Sequence, residues 1–416
     1  MKTLWQQTLS FSPAARLLMV NQFAINLAFY MLMPYLAAHL SSGLGLAAWA
    51  VGLVLGVRNF SQQGMFLLGG TLADRYGYKL PIMAGCLLRT AGFGLLGWVD
   101  SLPALIAASA ATGFAGALFN PAVRAYLAAE AGDRRVDAFA AFNVYYQAGM
   151  LLGPLVGLAL LATDFRLVCS VAAVIFAVLT LMQWRALPAR GGHAAGEGKE
   201  SVLAQWRTVM TNRPFLLFST AMIGSYVLTF QVYLALPLAA SEALGTRATS
   251  VTSGLFVISA AVAVAGQLRL TGWAKQRWSP HDALVRGLAA MGLAFVPLVF
   301  TPFDATLLVI TALAAAVALL AAGSAVVYPF EMDTVVALSG NHLVATHYGL
   351  YNTVSGVGIT LGNLATGALW DFALRHNALW LTWAVLAATG LACAASVSAL
   401  ARSGRLTVRE AVGAVA

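Results

Sequence analysis

Gly69-Gly-Thr-Leu-Ala-Asp-Arg-Tyr-Gly-Tyr-Lys79 is a short charged break between two long apolar runs, roughly residues 49–70 and 80–99. Each run has the ~20 residues that a helix needs to cross a bilayer core about 30 Å thick. Working outward in both directions gives ten more runs of that kind, at roughly 15–38, 103–125, 138–162, 166–184, 214–238, 249–268, 282–300, 306–328, 346–369 and 377–401. These are continuous apolar stretches, whereas a β-barrel needs ten-residue alternating ones. The first follows a polar, amphipathic start (Lys2 to Pro13). It is too long for a signal-peptide core and has no clear small-residue cleavage site, so it is expected to stay in the mature chain.

Composition agrees. The 416 residues are 60% hydrophobic and 9% charged, with a mean hydropathy of +0.80, against about 25% charged residues in a soluble domain. That excludes an ordinary soluble enzyme, a disordered chain and a nucleic-acid-binding domain. Cys86, Cys169 and Cys393 lie far apart in apolar stretches and suggest neither a disulfide framework nor a metal cluster. The net charge of +9 is a matter of topology. Sixteen Lys and Arg fall in one set of alternating segments and three (Arg166, Arg247, Arg375) in the other. By the positive-inside rule both termini are expected in the cytoplasm.

The stretch 188–212 is the longest polar segment. It reads as a flexible cytoplasmic linker ending in a short amphipathic helix around Val202–Met210. It divides the chain into 1–186, a linker 187–213, and 214–416. The halves resemble each other. Phe142–Gly157 lies over Tyr351–Thr366 at an offset of 209, so that Asn143, Gly149 and Gly153 recur as Asn352, Gly358 and Gly362; Gly70–Gly77 lies over Gly272–Ser279 at an offset of 202. Two similar six-helix halves are a transporter plan, with the ligand site between them near mid-membrane. The expected fold is an all-α membrane protein of twelve transmembrane helices in two six-helix halves.

In the opening stretch, Gly70 permits close helix approach and Gly77 turns the chain. The run resembles the cytoplasmic signature of the major facilitator superfamily, G-x-L-a-D-r-x-G-r-k. Gly70, Leu72, Ala73, Asp74, Arg75, Gly77 and Lys79 match; Tyr78 departs where that family usually has a basic residue. The resemblance implies that Asp74 meets Arg75 and the start of the eleventh helix, whose N-terminal dipole favours an anion. Such a latch would close the cytoplasmic side of an outward-facing transporter. In the second copy Gln276 replaces the acid, which makes any latch asymmetric. In span five, Gly149-x-x-x-Gly153-Pro154-x-x-Gly157 gives a tight, bent helix interface. It resembles the signature of drug–proton antiporters of the superfamily. The Arg that such exporters usually carry in span four is absent: Ser109 stands there.

Polar groups within spans are candidates for a substrate cavity. Arg58, Ser61 and Gln62 share a helical face. Arg58 reads as a cavity or conformational group, or as a structural cation bonded to backbone carbonyls; Arg89 is open between the same roles, since a charge so deep costs at least about 2.5 kcal/mol unless partnered. Gln22, Asn26 and Tyr30 line one face of span one. Asn143 and Gln147 in span five, and Tyr226 and Gln231 in span seven, complete the set, each equally able to serve as interhelical glue. All fifteen Asp and Glu lie near span ends or in loops. Glu331 and Asp333, just after span ten, and Asp137, at the start of span five, are the candidates for proton coupling, the alternative being solvated loop acids; His342 and His347 stand near the first two.

These features resemble a proton-coupled multidrug exporter of hydrophobic or amphiphilic compounds, working by alternating access as a monomer in a bacterial inner membrane. It would need no cofactor beyond the proton gradient, and its partners would be a lipophilic small molecule, protons and the bilayer, not nucleic acid. The alternative is a dedicated exporter or importer of one metabolite, such as a siderophore, lipid or nutrient. A membrane enzyme is not expected, because the histidines are scattered and no catalytic constellation is apparent.

Overall fold

The computed structural model describes residues 4–189, 201–302 and 305–406. After a short helix Leu4–Leu9 come α1 (Pro13–Ala38), α2 (Ala48–Tyr76), α3 (Lys79–Trp98), α4 (Leu102–Ala131), α5 (Arg135–Leu161) and α6 (Phe165–Ala186). A linker helix, Val202–Thr211, follows. Then come α7 (Arg213–Leu244), α8 (Ala248–Ala261, a π turn Val262–Gly266, and Gln267–Arg277), α9 (Pro280–Val299), α10 (Thr306–Ser339), α11 (Val344–Arg375) and α12 (Trp380–Arg402).

Ten stretches among the described residues are long and apolar enough to cross a membrane. One of them, Leu102–Leu161, holds both α4 and α5. The twelfth helix is α2, 29 residues long, whose apolar run is interrupted by Arg58, Asn59, Gln62 and Gln63. The chain is an all-helical, multi-pass membrane protein.

The helices form two compact units: Met1–Thr211 with His342–Thr353, and Asn212–Asn341 with Val354–Ala416. The first turns of α11 therefore belong with α1–α6, and the rest of α11 with α7–α12. Within the first unit α1 packs on α5, α2 on α4, and α3 on both α4 and α6. Within the second, α8 packs on α10, and α9 on both α10 and α12, while Gly358 and Gly362 of α11 meet Ile223 and Val227 of α7. Pairings six helices apart thus repeat. Gly153 sits against the α1 backbone, whereas its counterpart Gly362 meets a side chain, so the second copy packs less closely.

Two local features differ from the sequence expectation. Span seven is not one continuous helix: α7 breaks at Met222 and again at a 3-10 turn, Gln231–Tyr233. Pro237 accounts for the second break, because it cannot donate to the carbonyl of residue 233 and its ring crowds that carbonyl. Helix α10 does not stop near residue 328 but runs on to Ser339. Glu331 and Asp333 are therefore helical residues rather than the start of a loop. The middle of the expected flexible linker, residues 190–200, lies outside the described residues, but its amphipathic end is the observed linker helix, with Val209 fully buried.

Candidate functional site

The charged break between α2 and α3 forms a clasp on the N-terminus of α11. Asp74 is 5% exposed. Its Oδ1 accepts from the Ala345 backbone N–H at 3.1 Å, and its Oδ2 accepts from the Thr346 N–H and the Thr346 hydroxyl, both at 2.7 Å. A helix start leaves its first N–H groups unpaired and carries a partial positive charge. A carboxylate satisfies both needs with charge-assisted bonds. The approach is close because Gly70 has no side chain: a Cβ there would stand 2.1 Å from the Ala345 carbonyl oxygen. Gly349, one turn along α11, lies equally tightly on Phe66 of α2. Gly77, at φ +85°, ends α2 in a conformation open to glycine.

Arg75 does not join this clasp. It is half-buried, its Nε finds no hydrogen-bond partner, and the bonds of Asp74 all go to α11. The expected Asp74–Arg75 contact is thus corrected: two backbone N–H groups and a hydroxyl replace the guanidinium, because adjacent residues on a helix do not face each other. Lys79 works elsewhere, its Nζ donating to the Trp184 carbonyl of α6 at 2.8 Å. Tyr78 packs beside Tyr126; burial, with Asp74 nearby, pushes its phenol above the ordinary value and keeps it a neutral hydroxyl. The linker helix reaches the same place. Trp206 Nε1 donates to the Thr71 hydroxyl at 2.9 Å, one turn before Asp74.

The glycine run of α5 packs on α1. Cβ atoms at Gly149, Gly153 and Gly157 would stand 2.4 Å from Phe23 O, 2.7 Å from Tyr30 Cβ and 2.0 Å from Met31 O. Tyr35 of α1 donates its hydroxyl to the Pro154 carbonyl at 2.7 Å. The run therefore brings two helices together backbone to backbone.

The polar candidates of the first unit separate into groups. Arg58 donates to Asn59 Oδ1 (2.8 Å) and Gln62 Oε1 (2.9 Å), and its Cζ lies 4.5 Å from the centre of the Phe29 ring. Tyr30, beside Phe29, hydrogen-bonds to Tyr146. Asn26 is spent on its own helix, donating to the Gln22 carbonyl at 2.7 Å, and Gln22 Oε1 is buried without a partner. Asn143 is buried and Gln147 half-buried. Asp137, half-buried, stands in the first turn of α5, where its carbonyl accepts from Gln7. In the second unit Tyr226 is half-buried. Gln231 is fully buried at the break of α7 and donates to the Val227 carbonyl (2.8 Å) and Asn363 Oδ1 (3.4 Å). Glu331 is 3% exposed on α10, and Asp333 is half-buried.

Three residues escaped the sequence reading. Thr346 supplies two of the three bonds to Asp74; its only sequence signal is its place at the start of an apolar run. Arg124 reads as a cation at a span edge, yet donates to Asn352 Oδ1 at 2.6 Å. Trp206 signals only amphipathicity.

A family model described as Major Facilitator Superfamily matches residues 18–363. An uncharacterized MFS-type transporter of Mycobacterium tuberculosis (strain ATCC 25618 / H37Rv) is 53% identical over 393 residues, 94% of each chain. Multidrug resistance protein MdtH of Shigella dysenteriae serotype 1 is 27% identical over 374 residues, 90% of each chain. The protein of the same name from Yersinia pestis (strain Pestoides F) is 28% identical over 376 residues, 90% of this chain and 91% of that one.

Proposed function

The chain belongs to the major facilitator superfamily and is a multi-pass membrane transporter of a small molecule, and from that premise we propose that it exports hydrophobic or amphiphilic compounds in exchange for protons. The observation that carries this reading is the Gly149–Gly157 run packed on α1, a drug-antiporter signature in a chain whose relatives include multidrug resistance proteins. The polar residues available, amides and tyrosine hydroxyls amid Phe, Met and Leu, suit a lipophilic ligand better than a sugar, which needs dense hydrogen bonding.

The mechanism is alternating access. The Asp74 clasp on α11 holds the cytoplasmic entrance shut while substrate leaves outward. Breaking it lets the two halves rock and the binding cavity open inward. A ligand shifts such an equilibrium only by its differential affinity for the two states, so the clasp sets the bias that substrate and proton must overcome. Glu331, buried on α10, is the first choice for the coupling proton, with Asp333 and Asp137 behind it. The protein works as a monomer in a bacterial inner membrane, both termini cytoplasmic, as the lysine and arginine distribution supports.

The test is reconstitution in liposomes under an imposed pH gradient. Gradient-driven movement of members of a panel of lipophilic cations, lipophilic anions and antibiotics, with counterflow of protons, is the expected result. Movement of one metabolite alone, indifferent to the gradient and to the panel, overturns it.

A further inference from the structure

Deep in the first unit, two guanidinium groups converge on one aromatic ring, and among the described residues neither has an ion pair with an acid. Arg58 Cζ is 4.5 Å, and Arg89 Cζ 5.6 Å, from the centre of the Phe29 ring, so the two charges lie no farther apart than those distances together. Arg89 also stands 5.4 Å from the Phe176 ring and 5.8 Å from Phe119. Phe93 stacks on Phe176 at 5.2 Å and meets Phe29 edge-on at 6.3 Å, closing the aromatic wall. Arg58 is tethered by the side-chain oxygens of Asn59 and Gln62. Arg89 has no such tether. It is 5% exposed, and both its Nε and its Nη1 are buried without a hydrogen-bond partner.

The charges of Cys86, Tyr30 and Tyr146 act on Arg89, and those of Arg89 and Tyr30 act on Arg58. None is a carboxylate. Ring faces attract a guanidinium but do not satisfy its N–H groups. An unpaired buried cation in a membrane-spanning bundle is costly and marks a ligand path or a missing counter-charge. Gly116 of α4 lets Gln62 and Arg89 pack directly onto that helix: a Cβ there would stand 3.2 Å from Arg89 Nη2 and 3.1 Å from Gln62 Cδ. Phe29, Tyr30 and Arg58 are each partly exposed.

We propose that Arg58 and Arg89, walled by Phe29, Phe119 and Phe176, seat the anionic head group of the substrate, which is therefore an aromatic or otherwise lipophilic carboxylate rather than a lipophilic cation. The two guanidiniums supply the charge and free N–H donors that a carboxylate needs, and the rings take up the apolar body next to it. This rests on the export reading above and narrows its substrate class.

The test uses the full chain, purified in detergent, titrated with 2-naphthoate, the neutral 2-naphthamide and the cationic 2-naphthylmethylamine. Naphthoate is expected to bind at least about tenfold more tightly than the amide, with the amine weakest. Arg58→Gln and Arg89→Gln each bring naphthoate to within about threefold of the amide, the acid losing far more affinity than the amide; Arg89→Lys, which keeps the charge, retains part of the preference. A melting curve accompanies each variant, and should Arg89→Gln unfold, the half-buried Arg58 decides alone. The proposal is overturned if the amide or amine binds as tightly as the acid, if the preference survives both Gln variants, or if none of the three probes binds. A protein that moves lipophilic cations in liposomes but ignores naphthoate keeps the export reading and loses this one. One that binds naphthoate yet moves nothing under a gradient does the reverse.

Discussion

Replacing Asp74 by Asn removes one charge and exchanges one acceptor oxygen for a donor. Asp74 now takes three bonds, two of 2.7 Å from Thr346 and one of 3.1 Å from the Ala345 N–H. The least damaging Asn rotamer puts its oxygen where Oδ2 stands and its NH2 towards Ala345. That keeps both Thr346 bonds and sets two donors face to face at the longest contact. One buried backbone N–H is orphaned, at a cost of about 1–3 kcal/mol, and the two remaining bonds lose their charge assistance. The attraction to the helix N-terminus goes as well, typically about 0.3–1 kcal/mol. Together the clasp weakens by about 2–4 kcal/mol, or roughly 30- to 1000-fold in its opening equilibrium at 1.36 kcal/mol per decade. Hydrogen exchange at the Ala345 and Thr346 amides reads that opening directly. In Asp74→Asn the peptide covering 343–353 should lose protection by at least about 30-fold, while α3 and α9 keep theirs, and gradient-driven transport should fall. Unchanged protection together with wild-type transport would refute the argument, since it would mean that the carboxylate contributes nothing to holding α11.

Further outcomes follow from the same geometry. Thr346→Val deletes one of the three bonds but spares both backbone donors, so it should cost about 1 kcal/mol, a loss of protection clearly smaller than that of Asp74→Asn in the same experiment. Gly157→Leu would drive a side chain into the Met31 carbonyl, 2.0 Å from where its Cβ begins; with backbone on both sides the helices must separate, lowering the melting temperature and yielding less folded protein than wild type. Trp206→Phe removes the donor to Thr71 and should raise protease sensitivity of the linker helix without abolishing transport, which a trypsin time course of proteoliposomes would check. Glu331→Gln should preserve substrate counterflow but remove the pH-gradient drive; unaltered proton flux would strike Glu331 from the coupling role.

Much of this was legible in the linear chain, for identifiable reasons. Hydrophobic runs report burial in lipid, so twelve helices could be counted before any packing was known. They report the membrane edge rather than the helix end, which is why α10 outlasts its apolar run and carries Glu331 and Asp333 inside the helix. The linker helix was expected at Val202–Met210 and runs Val202–Thr211, because amphipathicity is a local pattern. The break in α7 depends on how Gln231, Leu234 and Pro237 act together, and no window of average hydropathy resolves it.

The linear sequence determined the class of the molecule, its helix count, its internal repeat and the position of Asp74, since each depends on composition or on spacing along one chain. Tertiary structure alone decided what those residues touch. It gave Asp74 the amides and hydroxyl of residues 345 and 346 instead of Arg75, fitted Gly70 against a carbonyl 275 positions away, and drew Arg58 and Arg89 from separate helices to the ring of Phe29 on a third. Hydrogen bonds and ring contacts act over a few ångströms in space, and which distant segments come within that reach is fixed only when the helices pack.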